Sequence, residues 1–127
     1  MNKSTQLSLD FMSNNMQKYV AQNNFWYASA GNNRWMDGNL QIHNINSMSK
    51  DYIENCIGKV ERDIDMLESG QYDSQIKVHF KYEIRKADTF GELKGARITV
   101  DTEALKDIKE ELIAFLNEKK EELEEYM

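Results

Sequence analysis

The stretch from residue 47 to residue 70, SMSKDYIENCIGKVERDIDMLESG, carries the clearest folding signals in this chain. Ser49 is a favourable N-cap residue, and apolar side chains then recur at intervals of three, four and seven residues. This spacing predicts a helix with one buried face over residues 50–68, which Gly70 is placed to end. The stripe consists of Ile53, Cys56, Ile57, Val60, Ile64 and Leu67.

The segment before this helix predicts a second helix and a small β-meander. Residues 5–23 carry apolar side chains three or four positions apart, which is typical of an amphipathic helix. Residues 24–44 begin with an aromatic run and contain two turn signals rich in Gly and Asn. They end in a short segment where apolar and polar side chains alternate. We therefore expect two or three short strands there.

The segment after residue 70 predicts a β-hairpin and a third helix. Residues 75–86, QIKVHFKYEIRK, alternate strictly between apolar and polar side chains, which indicates a strand with one buried face. Residues 96–101 predict its antiparallel partner, and Thr102 is the expected N-cap of the last helix. The fold class predicted from these elements is α+β, with three helices packed on a small antiparallel sheet of four or five strands.

The composition is that of a folded protein. The 127 residues are 40% hydrophobic, and their length fits a single domain, 1–127. The formal net charge is −6, and the acidic excess follows residue 58, where 12 basic and 18 acidic side chains lie. A net acidic chain is a poor general binder of nucleic acid, because neutralising phosphates requires clustered Lys and Arg.

Cys56 is the single cysteine, which excludes an internal disulfide framework and a cysteine-based zinc cluster within one chain. Its place in an apolar stripe favours a buried structural thiol over a nucleophile. Met1–Asp10 lacks the apolar region of a signal peptide, and no apolar run approaches the ~20 residues that cross a membrane. We therefore expect a cytoplasmic protein without a membrane partner.

Sequence motifs of known catalytic chemistry are missing from the chain. It contains no phosphate-binding glycine loop, no H-E-x-x-H pair and no G-x-S-x-G elbow. His43 and His79 fall on different predicted strands, at solvent-facing positions, which disfavours a shared metal or acid–base role. We expect no enzymatic activity, no cofactor and no metal.

Two charged surfaces are candidates for binding. The last helix is rich in acid, and a negative face of this kind suits a basic groove on a partner. Its candidate residues are Glu110, Glu111, Glu118 and Glu121. The polar side of strand 75–86 is basic and is the alternative, as a site for a nucleotide or nucleic-acid phosphate. Its candidate residues are Lys77, Lys81, Arg85 and, on the neighbouring strand, Arg97.

The stretch RWMDGNLQIHNINSMSKDYIENCIGKVERD, residues 34–63, resembles a module of small phage and prophage proteins from low-GC Gram-positive bacteria. The positions that carry the resemblance are Trp35, Gly38, Ile42, Met48, Ser49, Tyr52, Ile53, Asn55 and Ile57. Packing of the helix does not explain Tyr52 and Asn55, so these two, with Trp35, are the pattern residues of interest. KYEIRKAD, ARITVD and the last helix also resemble a strand–strand–helix unit in phage proteins, among them a type II anti-CRISPR inhibitor.

The resemblance implies a phage accessory protein that acts inside a bacterial host. Such proteins block a host defence protein, such as a CRISPR nuclease, by binding it. The leading hypothesis is therefore a non-enzymatic inhibitor whose acidic helix mimics DNA. Binding of nucleic acid is the less favoured alternative, and the methionines and aromatic residues of segment 12–36 leave self-association open.

Overall fold

The computed structural model describes residues 9–95 and 97–127. Over these residues the chain is α+β, with four α-helices and one two-stranded antiparallel sheet. The elements are α1 (Leu9–Gln22), β1 (Arg34–Met36), β2 (Ile42–Asn44), α2 (Lys50–Glu68), α3 (Asp73–Lys86) and α4 (Thr102–Glu124), with 3-10 helices at Trp26–Ala30 and Ile45–Ser47. The helix predicted over 5–23 is confirmed from residue 9, and its first four positions lie outside the described residues.

The helix predicted over residues 50–68 is confirmed at both ends. Ser49 Oγ accepts a hydrogen bond from the Tyr52 N–H at 3.2 Å, which satisfies one of the donors left free at a helix start. Gly70 has φ +85°, and its N–H donates to the Leu67 carbonyl. The next residue, Gln71, donates to the Met66 carbonyl, which completes a Schellman ending.

The predicted meander is a single hairpin preceded by a 3-10 helix. Strands β1 and β2 pair with Trp35 opposite His43. The Asp37 carboxylate accepts from the N–H groups of Asn39 and Gln41, which holds the connecting turn closed. The aromatic run before β1 was expected to form a strand, but it folds as the 3-10 helix Trp26–Ala30.

The strand predicted over residues 75–86 is wrong, because this segment is the helix α3. In the helix, Ile76 and Phe80 are fully buried, whereas Val78 and Tyr82 are 68% and 64% exposed. A spacing of four residues fits both a strand, with period two, and one side of a helix, with period 3.6. The prediction of three helices on a four- or five-stranded sheet fails with this segment.

The second strand predicted over 96–101 is also wrong. Residues 97–101 form no strand, and residue 96 lies outside the described residues. Ile98 and Val100 are nevertheless buried. Because residues 75–86 lie in a helix, the partner strand expected for this segment is not formed. Asp101, not Thr102, caps α4, because its Oδ1 accepts from the Ala104 N–H at 2.8 Å.

The core lies where α2 packs against α4, and α1, α3 and the hairpin close around this pair. Aromatic side chains fill the space between the hairpin, α1 and α3. Three charged side chains are also buried, namely Asp63, Glu83 and Lys119. Each has an oppositely charged partner, and Glu83 binds Lys18 of α1 at 2.8 Å. Among the described helices, none combines the length and the hydropathy that crossing a membrane requires.

Candidate functional site

The acidic face of α4 presents its side chains to solvent as the sequence predicted. Counting about 100° per residue around the helix axis, the exposed acids fall within an arc of about 140° opposite the buried stripe. This arc is named here the acidic face, and its members are Glu103, Asp107, Glu110, Glu111, Glu118, Glu121, Glu124 and Glu125. Within α4, Lys106 is the only fully exposed lysine, and it lies at the margin of the arc. The face therefore has a single sign over almost its whole length.

The opposite side of α4 is fixed by a buried lysine. Lys119 is only 4% exposed and occupies a stripe position between Leu116 and Leu123. Its ammonium donates to the carbonyls of Gly31 and Arg34, both at 2.8 Å, and to Glu122 Oε1 at 2.6 Å. All three N–H donors of an ammonium are thereby used. Because Lys119 ties α4 to the first residue of β1 and to the turn before it, it fixes the rotation of the helix and the direction of the acidic face.

A cavity of about 420 Å³ opens beside the acidic face, between α1, the 3-10 helix Trp26–Ala30 and α4. Val20, Ala28 and Phe115 supply apolar walls, and Glu118 and Glu122 supply carboxylates. The N–H donors of Lys119 are all used, and Glu122 is its ion-pair partner. Glu118, the other lining carboxylate, forms no ion pair among the described residues.

The four predicted basic residues do not share a sheet. Lys77, Lys81 and Arg85 lie four residues apart on α3, so they still form one exposed row, and the Arg85 guanidinium donates to the Leu93 carbonyl at 3.2 Å. Arg97 is exposed on the extended segment before α4. His79, expected on the same polar face, instead packs edge-on against Tyr19, with ring centroids 5.0 Å apart.

The three pattern residues, Trp35, Tyr52 and Asn55, line one cavity. This aromatic cavity, of about 300 Å³, lies between β1, the Trp26–Ala30 helix and α2. Trp35 is buried and stacks on Tyr27, with ring centroids 4.6 Å apart and an interplanar angle of 25°. Tyr52 is half-buried and Asn55 exposed. The remaining lining residues are Trp26, Tyr27, Met36, Asp37, Gly38, Cys56 and Lys59.

A buried carboxylate lies behind the aromatic cavity. Asp63 is 3% exposed and accepts hydrogen bonds from the Tyr27 hydroxyl at 2.7 Å and the Tyr72 hydroxyl at 3.2 Å. Lys59 Nζ lies 3.4 Å from the same carboxylate. It also lies 5.5 Å from the centroid of the Trp26 ring and 5.2 Å from that of the Tyr27 ring. Burial, with Asp63 as hydrogen-bond partner, raises the pKa of Tyr27 far above its usual range. The phenol therefore stays a donor.

Cys56 lines the aromatic cavity but is 4% exposed. Burial raises the pKa of its thiol to about 11. A nucleophilic cysteine has a lowered pKa and a cationic neighbour, so the geometry agrees with the structural role inferred from the apolar stripe.

The two histidines lie on different elements, β2 and α3. His43 Nε2 lies 2.7 Å from Asp37 Oδ2, and the hydrogen bond from His43 is the main cause of the lowered pKa of Asp37. Burial lowers the pKa of His79, whose Nε2 is enclosed and has no hydrogen-bond partner among the described residues. Over the same part of the chain, no group of three or more His, Cys, Asp or Glu side chains is placed to hold a metal ion.

Sequence reasoning missed Lys119, Lys59 and Trp26 as parts of these sites. Lys119 left one signal, since it stands three residues after Leu116 and four before Leu123, at a stripe position where a lysine is unexpected. Lys59 and Trp26 left no comparable signal, because only the fold brings them together.

Comparison of the chain with protein-family models, with curated protein sequences and with solved structures finds no match, so its function has to be argued from its own residues.

Proposed function

We propose that this chain is a phage-encoded, non-enzymatic inhibitor that binds a host defence nuclease, such as a CRISPR effector, through the acidic face of α4. The observation that carries the proposal is the segregation of charge on this helix, with eight exposed acids on one side and a buried stripe on the other. The cytoplasm of the bacterial host is the compartment in which such a target is met.

The spacing of the acids supports mimicry of a nucleic-acid strand. From Glu103 to Glu125 the helix axis rises about 33 Å, so the eight acids are on average about 5 Å apart along it. One strand of duplex DNA supplies one phosphate charge per about 3.4 Å. A basic groove shaped for a phosphate backbone would therefore meet a similar linear charge density on α4.

The acidic face also carries a cost that folding alone does not explain. Six pairs of its acids stand three or four residues apart, and each like-charge pair destabilises a helix by about 0.2–0.5 kcal/mol. Glu124 and Glu125 add negative charge at the C-terminal end, where the helix dipole disfavours anions. Retaining a helix that is about 1–3 kcal/mol less stable than a mixed-charge version is understandable if its surface binds a partner.

The cavity beside Glu118 gives the proposed interface an anchor. Arginine is enriched at the energetically dominant positions of protein interfaces, and its stem packs on apolar walls while its guanidinium binds a carboxylate. Val20, Ala28 and Phe115 would contact the stem, and Glu118 would bind the guanidinium. The partner predicted from this cavity is a protein that inserts an arginine from the rim of its basic groove.

The test compares two variants that change net charge equally. In one, Glu110, Glu111, Glu118 and Glu121 are replaced by glutamine. In the control, four exposed acids of α2 are neutralised in the same manner: Glu54, Glu61, Asp65 and Glu68. Each variant is expressed in a bacterium with an active type II CRISPR system, and plaque counts of a targeted phage report inhibition.

We expect the wild-type chain and the α2 variant to restore plaques, and the α4 variant to lose at least tenfold in plaque number. Equal restoration by both variants would exclude the acidic face as the binding surface. Absence of restoration by the wild-type chain in all tested defence systems would reject inhibition itself. Ala21→Trp fills the cavity beside Glu118 without changing the net charge. We expect it to weaken inhibition while the fold is retained.

A second candidate function is binding of nucleic acid by the basic row of α3. Lys77, Lys81 and Arg85 remain aligned on one exposed face, with the exposed Tyr82 ring beside them. Titration with labelled single-stranded and duplex DNA at low salt tests this function. The matched variant replaces these three residues and Arg97 by glutamine. Binding that is lost in this variant and weakens steeply with salt would support a phosphate contact, whereas no binding at tens of micromolar would reject it.

A further inference from the structure

The aromatic cavity is used by neither of the functions above. It brings together the pattern residues Trp35, Tyr52 and Asn55, which helix packing left unexplained. Its volume of about 300 Å³ lies at the small end of the range for ligand pockets, which is about 300–1,000 Å³. A site of this size suits one planar ring system with a small substituent.

The lining selects for an aromatic ring. Four of the ten lining side chains are aromatic: Trp26, Tyr27, Trp35 and Tyr52. Tyr27 and Trp35 are stacked on each other and buried, so they are held rigidly, whereas Trp26 and Tyr52 remain half-exposed. Stacking of a nucleic-acid base on an aromatic side chain contributes substantially to binding and tolerates any base.

Lys59 is the positively charged side chain of the lining and can contact an anion. Lys59 has a side chain that is 39% exposed, and its one hydrogen bond among the described residues, to Asp63, is long at 3.4 Å. Donors of this ammonium therefore remain for a ligand. If Lys59 turns toward a ligand, Asp63 keeps the hydroxyl groups of Tyr27 and Tyr72 as donors, so the buried carboxylate is not left unpaired.

The other charged side chain of the lining, Asp37, has both carboxylate oxygens engaged within the hairpin. Asp37 already accepts hydrogen bonds from two backbone N–H groups on Oδ1 and faces His43 on Oδ2. Its carboxylate is thus committed to the hairpin turn. The acidic excess of the chain also lies after residue 58, mainly on elements other than those that form the cavity.

We propose that the aromatic cavity binds a nucleotide, with the base against Trp26 and Tyr52 and the phosphate on the ammonium of Lys59. The exposed amide of Asn55 offers both a donor and an acceptor to the edge of the base. The same chemistry is supplied by a free nucleoside monophosphate and by a nucleotide of a single strand, and titration separates the two sources.

The chain supplies its own reporter for this test. It has two tryptophans, Trp26 and Trp35, and both line the aromatic cavity. Fluorescence excited at 295 nm therefore reports on this site. The full chain is titrated with each of the four 5′-monophosphates, with the matching nucleosides and with a single-stranded oligonucleotide.

We expect saturable quenching by the monophosphates, with nucleosides binding about tenfold more weakly because they lack the charge-assisted contact. Lys59→Gln should abolish that difference, because glutamine carries no positive charge, and Tyr52→Ala should weaken the binding of both kinds of ligand. Lys50→Gln removes an equal charge from the opposite side of α2 and should change neither the phosphate preference nor the affinity. Circular dichroism shows whether each variant is folded. If Tyr52→Ala does not fold, Lys59→Gln alone tests the proposal.

Saturation by free monophosphates identifies a nucleotide site. Saturation by the oligonucleotide alone, with loss in Lys59→Gln, supports the same site with a nucleic-acid strand as the source. No saturable quenching by any of these ligands at millimolar concentration overturns the proposal. A phosphate preference that survives Lys59→Gln overturns the assignment of that residue.

Discussion

Replacing Lys119 by methionine tests the contact that sets the direction of α4. Methionine keeps the length and the apolar stem of the side chain but has no N–H donor, so the hydrogen bonds to Gly31, Arg34 and Glu122 are all lost. No comparable volume is removed, so the expected effect is electrostatic and does not arise from a new cavity.

The magnitude follows from the three contacts. A hydrogen bond to a charged group contributes about 1.5–3 kcal/mol, and breaking a buried ion pair costs about 3–5 kcal/mol. Gly31 and Arg34 are exposed residues, so water can reach their carbonyls and recover part of the loss. We therefore expect Lys119→Met to lower the free energy of unfolding by about 3 kcal/mol, the lower end of the range for breaking a buried ion pair.

Urea denaturation followed by circular dichroism measures this loss. With a slope of about 2 kcal/mol per molar urea, the midpoint should fall by about 1.5 M. The neighbouring Lys120→Met is the control, because Lys120 is half-buried and has no ion pair within the described chain. Its midpoint should move by less than about 0.25 M. If the urea midpoint of Lys119→Met also lay within about 0.25 M of the wild-type midpoint, Lys119 would not be the residue that fixes α4 in place.

Four further predictions each concern a single residue. Gly58 lies inside α2 with open space where a Cβ would stand, so Gly58→Ala should raise the free energy of unfolding by about 0.5–1 kcal/mol in the same assay. Gly70→Ala should instead lower it by about 1–2 kcal/mol, since φ is +85° and the new Cβ would meet the Asp73 carboxylate at 3.2 Å; a neutral result would contradict the Schellman ending. The Cys56 thiol, with its pKa raised by burial to about 11, should resist a thiol reagent at pH 8 in the native state and react at once in urea, and rapid native labelling would contradict its burial. Burial lowers the pKa of His79 below its usual 6.5, so the unfolded state binds the proton first as the pH falls. Stability should therefore decrease as the pH drops below 6.5. His79→Gln should make the urea midpoint less dependent on pH, and an unchanged dependence would exclude His79 as its source.

The local signals of the sequence predicted the elements that are stabilised locally. Helix α2 was predicted with both ends, because its cap, its stripe and its glycine ending act within a few residues of one another. The exposure of Glu110, Glu111, Glu118 and Glu121 followed in the same manner from the stripe of α4. In each case burial on one side determines what faces solvent on the other.

Helix α3 was missed because its pattern satisfies two periods at once. Ile76 and Phe80 stand four residues apart, which places them on one face of either a strand or a helix. The choice is made by contacts with α1 and α4, such as the ion pairs of Glu83 with Lys18 and of Asp73 with Lys109. These partners are distant in sequence, so periodicity within the segment could not reveal them.

The site residues that escaped prediction depend on the same kind of distant contact. The carbonyls bound by Lys119 lie 85 and 88 positions earlier in the chain, and a lysine is normally assigned to the surface. Lys59 was one of several charged residues on α2, and only its position over the rings of Trp26 and Tyr27 distinguishes it. Tyr52 and Asn55, in contrast, were singled out because helix packing did not account for them.

Helix α2 connects the two proposed sites, since it contributes Tyr52, Asn55 and Lys59 to the aromatic cavity and packs its stripe against α4. A nucleotide that binds only the folded chain should stabilise it by about 2.7 kcal/mol at a hundredfold excess over its dissociation constant. Affinity for the partner should nevertheless stay the same, because a ligand shifts a second equilibrium only when it discriminates between two states of the protein. Measuring the urea midpoint and inhibition with and without nucleotide separates these effects. A higher midpoint with unchanged inhibition is the expected result, whereas inhibition that changes with nucleotide would mean that α2 transmits a conformational difference to the acidic face.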